Sequence, residues 1–162
     1  MEEITDRIDT SSFSFYSDLK DHSISGGTVP PEILVTAEKP DIVIIDNSAA
    51  QITGIGKSKV IIIELTCPWE ERLEKAREHK TEKYSSLIHD IQATGHEVAF
   101  IPLEIGVRGI INRSNKSSIR EITEYCTKET TPKVLTQELS KQAVAGSYFI
   151  FLSRNEKEWN NN

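Results

Sequence analysis

Val60-Ile61-Ile62-Ile63-Glu64-Leu65-Thr66 is the stretch on which the fold turns. Its first four residues are β-branched and apolar without alternation. That pattern predicts a strand covered on both faces, as in the middle of an α/β sheet. A second such run, Asp41-Ile42-Val43-Ile44-Ile45, lies upstream, past the turn signal Lys39-Pro40. Further upstream, Ile33 to Val35 reads as a short strand. Downstream, Pro68 opens a helix over roughly 69–92, which Thr94-Gly95 ends. Val98 to Ile105 reads as another strand, 106–114 as loop and 117–127 as a helix. Thr131-Pro132 starts a last helix, with threonine as N-cap and proline at N1, running to about Leu152. Strands alternating with helices in this order predict an α/β architecture.

The chain has 162 residues, room for one ordinary domain with a single sizeable core. Residues 1–31 read as a polar lead-in holding at most a short helix, 32–154 as the folded domain, and 155–162 as a frayed Asn-rich tail. The longest apolar run, Tyr148 to Leu152, is far too short for a bilayer, so no membrane partner is expected. The N-terminus has neither the basic nor the apolar region of a secretory signal. Cys67 and Cys126 form no metal-ligand spacing, which argues against zinc and for a reducing, intracellular setting.

The net charge is −6, unusual for a protein that grips nucleic acid by its backbone. Residues 1–21 carry six acids against Arg7 and Lys20, so the remainder is only −2. Any anion site is therefore local or shared with another domain. Gly54-Ile55-Gly56-Lys57-Ser58 resembles a phosphate loop but lacks the earlier glycine and the following helix, so it reads as a polar hairpin loop. Asn112-Arg113-Ser114 and Asn115-Lys116-Ser117 match the glycosylation sequon, to which no role is assigned without a leader. The four histidines are scattered and get none either.

Glu64 stands directly after three isoleucines, where an unpaired carboxylate is strongly unfavourable. If the two apolar strands form a hairpin across 46–58, Asp41 meets Glu64. Two carboxylates and the Leu65 carbonyl then make a hard-oxygen site suited to magnesium. The alternative is a capping Asp41 with Glu64 ion-paired to a helix lysine, which spacing alone slightly favours. On a helical wheel with Leu73 at zero, Lys80 lies at about −20°, Tyr84 at about +20°, Leu87 at about −40° and Ile91 back at zero. Lys83 flanks this stripe at about −80°. Lys80 thus faces the core, where it either meets the carboxylates or snorkels to solvent.

Lys39-Pro40-Asp41-Ile42-Val43, Glu64-Leu65-Thr66-Cys67-Pro68-Trp69-Glu70-Glu71, Glu78-His79-Lys80-Thr81-Glu82-Lys83-Tyr84 and Pro102-Leu103-Glu104-Ile105-Gly106-Val107-Arg108-Gly109 come in an order with a known counterpart. Over about 33–153 the chain resembles the PD-(D/E)XK nuclease superfamily, and more narrowly the restriction-like endonuclease domain of non-LTR retrotransposons. The resemblance implies a restriction-endonuclease-like mixed central sheet flanked by helices. It implies Mg²⁺-dependent hydrolysis of DNA phosphodiesters, nicking target DNA for a retroelement, with Mn²⁺ able to substitute. Asp41 and Glu64 would be metal ligands, with the Leu65 backbone carbonyl. Lys80 and Tyr84 would complete the catalytic set, matching the helical Gln-x-x-x-Tyr pair of related exonucleases. Lys83 and Arg108 would contact nucleic acid, and Glu104 and Thr66 would belong to the site in subordinate roles. Thr66 takes the place of the superfamily lysine, which leaves the lysine-dependent step to Lys80. The gap from Asp41 to Glu64 is longer than usual, which implies a longer hairpin loop. Implied partners are DNA and an upstream reverse transcriptase and DNA-binding domain of the same polyprotein; the setting would be nuclear for a eukaryotic retroelement. Two further readings stand beside it: an inactive nuclease-fold interaction module, and a DNA exonuclease or repair-type nuclease.

Overall fold

The computed structural model describes residues 2–18, 29–47 and 58–154. Their elements run α1 (Glu2–Thr5), β1 (Ser14–Ser17), β2 (Ile42–Asp46), β3 (Lys59–Thr66), a 3₁₀ turn (Glu70–Arg72), α2 (Leu73–Ala93), β4 (Glu97–Glu104), α3 (Arg113–Thr123) and α4 (Pro132–Ser153). The result is a mixed α/β fold around an open four-stranded sheet of order β1-β2-β3-β4. β1 and β2, and β2 and β3, are antiparallel; β3 and β4 are parallel, joined through α2.

Both faces of the sheet are covered, which is why β2 and β3 are apolar without alternation. On one face Ile42, Ile44, Ile61, Ile63, Ile101 and Leu103 pack with residues of α1, α3 and α4. On the other, Val43, Ile45, Val60 and Ile62 meet Tyr84, Leu87 and Ile91 of α2. The apolar stripe read from the α2 sequence is the face that lies on the sheet, and Leu73, Tyr84, Leu87 and Ile91 are buried.

Three local expectations need correction. Ile33–Val35 forms no strand. The Pro30 carbonyl accepts from the amides of Ile33 (2.9 Å) and Leu34 (3.1 Å), closing a turn. Ile33 enters the core beside Val29, while Val35 is 86% exposed. The lead-in, conversely, belongs to the body. Ile4 and Ile8 are buried, and Ser14–Ser17 pairs with β2 as an edge strand. Phe15 packs on one face and Tyr16 on the other, an alternation of only two apolar residues between serines. Finally, α3 begins at Arg113. The Asn112 side chain caps it by accepting from the Asn115 amide at 2.9 Å, so the first sequon-like asparagine is an N-cap. Asn112→Ala should lower stability by about 0.5–2 kcal/mol in urea unfolding.

α4 starts as read, with Thr131 accepting from the Val134 amide. Its last turns expose the run Tyr148–Leu152. Among the described residues no helix is long and apolar enough to cross a membrane. The 155–162 tail and the glycine-bearing stretch 48–57, including most of the hairpin loop, lie outside the described residues.

Candidate active site

The β2–β3 register pairs Ile42 with Ile63, so one step further Asp41 stands opposite Glu64. Two hydrogen bonds lock the pair reciprocally. The Asp41 amide donates to Glu64 Oε2 at 3.1 Å, and the Leu65 amide donates to Asp41 Oδ2 at 2.7 Å. The Leu65 backbone, expected to offer its carbonyl, meets Asp41 through its N–H. Glu64 follows Ile62 on the α2 face and is only 3% exposed. Lys80 reaches across from α2, and its ammonium is hydrogen-bonded to Glu64 Oε1. It does not snorkel away: its side chain is three-quarters covered.

Burial pushes the Asp41 carboxyl above its ordinary range, and the adjacent Glu64 charge adds to this; the Leu65 amide and Lys80 act against it. A raised folded pKa is a stability statement. The contribution is complete below the unfolded value, near 3.8, and is lost as pH rises through the folded value. Asp41→Asn keeps an acceptor for the Leu65 amide and removes the charge. In chelator, the variant should therefore melt above wild type at pH 7, by roughly 2–4 °C for each kcal/mol relieved. The gap should close as pH falls below 4. Thermal unfolding at the two pH values measures both.

Tyr84 is fully buried. Its hydroxyl donates to the Lys39 carbonyl at 3.3 Å and accepts from Lys83 Nζ at 2.9 Å. Burial first, then the nearby Glu64 charge, lift its phenol far above the ordinary range. It is therefore a neutral donor that anchors the backbone two residues before Asp41. Lys83 also lies over the Tyr84 ring, 4.4 Å from its centroid. Arg108, the other cation read as a nucleic-acid contact, is bound to Glu70: its amide donates to Oε1 at 2.8 Å and its Nε lies 3.0 Å from Oε2. Gly106 makes room for this arrangement, because a Cβ there would sit 2.7 Å from the Glu70 Oε1 that the Arg108 amide holds.

Glu104 lies at the end of β4, paired in register with Thr66, and is 1% exposed. Its partner is Arg77, which the sequence reading missed. Arg77 Nε donates to Glu104 Oε2 at 3.0 Å, and its Nη2 reaches the Pro102 carbonyl (2.9 Å) and Asn115 Oδ1 (2.6 Å). Asn115 in turn clasps the Glu104 backbone, accepting from its N–H at 3.1 Å and donating to its carbonyl. The signal was present: on the same wheel Arg77 falls at about +40°, inside the core-facing stripe. Burial raises the Glu104 pKa while Arg77 pulls it down. Glu104 Oε1 and Thr66 Oγ1 are buried with no hydrogen-bond partner among the described residues.

Among the described residues no group of three or more Asp, Glu, His or Cys side chains is gathered to hold a metal ion. The site offers two adjacent carboxylates, one of them desolvated against the other's charge, and a nearby orphaned hydroxyl. A divalent cation would relieve that repulsion, so the donor chemistry fits a hard metal bound by two carboxylates. No family model matches the chain, and no curated protein matches it.

Proposed function

We propose that the chain is a restriction-endonuclease-like domain of the PD-(D/E)XK type that hydrolyses DNA phosphodiesters, nicking target DNA for a retroelement. The observation that supports this best is the Asp41–Glu64 pair on adjacent strands, with the Lys80 ammonium on Glu64. Thr66 stands where the superfamily has lysine, and a helix lysine reaches the neighbouring carboxylate instead. In this reading Asp41 and Glu64 hold magnesium, with manganese as substitute. The bound ion would supply an acidified water and charge stabilisation at the leaving oxygen. Lys80, once released from Glu64, is a cation within reach of the attacking oxygen or the phosphate charge. Tyr84 acts as a positioning residue through the Lys39 carbonyl. The upstream reverse transcriptase, the DNA-binding domain and the nuclear setting are part of the same proposal.

A second reading, an inactive interaction module, draws on the fact that Lys80 and the Asp41 amide already occupy both Glu64 oxygens. Calorimetric titration with Mn²⁺ separates the two. The nuclease reading predicts saturable binding to wild type that Asp41→Asn and Glu64→Gln each abolish. A folded wild type that binds no Mn²⁺ would favour the module.

A further inference from the structure

α3 carries three cations on one exposed face: Arg113, Lys116 and Arg120. From Arg113 at zero, Lys116 falls at about −60°, Arg120 at about −20° and Ser117 at about +40°, opposite the buried stripe of Asn115, Ser118, Ile119 and Ile122. With Ser114, Ser117 and the single acid Glu74 they line a groove of about 780 Å³. None of the three cations has a side-chain ion pair or hydrogen bond among the described residues.

Two features of the placement work against the helix, while Arg120 in the last turn suits the macrodipole. Arg113 occupies the first helical position, where the macrodipole favours an anion, and the first turn holds no acid. Lys116 and Arg120 are like charges at i, i+4, a destabilising spacing. Glu124, at about +20° on the same wheel, lies one turn beyond Arg120 and outside the groove, so Glu74 is the acid that faces the three cations. The groove also adjoins the candidate site. Lys80, Arg77 and Glu74 succeed one another by single turns along α2, reaching Glu64, the Asn115 network and the groove in that order.

The geometry points to this groove as a seat for the DNA phosphate backbone flanking the Asp41–Glu64 centre, an assignment that rests on the nuclease reading. The test uses the Glu64→Gln protein in EDTA with a labelled random-sequence DNA duplex, so that binding is read without cleavage. Replacing Arg113, Lys116 and Arg120 by serine should flatten the slope of log K against log[salt] by about 2–3, at about 0.9 for each phosphate no longer neutralised. Glu74→Gln should tighten binding. The triple variant should stay folded by circular dichroism, because serine at these exposed positions is only a slightly poorer helix former than lysine or arginine. A control, Lys128→Ser with Lys133→Ser outside the groove, should leave the slope unchanged. An unchanged slope in the triple variant, or an equal flattening in the control, would overturn the assignment. So would an effect on duplex RNA that is larger than the effect on DNA. DNA seated in the groove of a protein that never cleaves would instead count against the nuclease reading alone.

Discussion

Arg77→Ala should cost about 3–5 kcal/mol of folding stability, because it strands a buried carboxylate. Glu104 is 1% exposed, and Arg77 supplies its ion pair at 2.9 Å. The same guanidinium holds the Pro102 carbonyl and Asn115, tying α2, β4 and α3 together. A domain of this size has only about 5–15 kcal/mol in total, so the loss is a large share. The urea midpoint should fall by about 2 M. Acid should narrow the difference. Burial already raises the Glu104 pKa, and without Arg77 protonation relieves the stranded charge. Replacing both partners together, Arg77→Met with Glu104→Leu, should recover much of the loss. A single variant within about 1 kcal/mol of wild type would show that the network contributes little.

On the proposed nuclease reading, Glu64→Gln should reduce DNA cleavage by about a thousandfold or more while the protein stays folded. The amide preserves an acceptor for the Asp41 N–H, so the local register survives. What it removes is the charge that faces both Lys80 and the proposed metal. Lys80→Met should also impair cleavage, without restoration by Lys80→Arg, because the forked guanidinium cannot take the place of a compact ammonium. Steady-state rates on one plasmid substrate, with circular dichroism to verify folding, measure both.

The sheet's centre was legible because each face of β2 and β3 is covered, and isoleucine runs without alternation fit nothing more simply. Hairpin arithmetic made the meeting of Asp41 and Glu64 possible, and the wheel left Lys80 between the carboxylates and solvent; the structure has Asp41 beside Glu64 and Glu64 ion-paired to that helix lysine. β1 was illegible because an edge strand of four residues with serine at both ends carries almost no pattern. Ile33–Val35 misled because three apolar residues in a proline-closed turn look like a strand when only Ile33 is buried. Arg77 was passed over although it shares the Lys80 stripe, and which carboxylate each takes depends on the β3–β4 register, which pairs Glu64 with Pro102 and Thr66 with Glu104. Lys83 and Arg108 were read as nucleic-acid contacts. Their partners, the Tyr84 hydroxyl and Glu70, come from folding and not from spacing.

The most direct test of the proposed nuclease activity is cleavage of supercoiled plasmid by wild type and Glu64→Gln, side by side, with Mg²⁺ or Mn²⁺ and with EDTA. Nicked circles are expected from wild type only, and only with the divalent ion. Folded wild type that leaves the plasmid intact under every metal condition, or a Glu64→Gln protein that nicks as well as wild type, would contradict it.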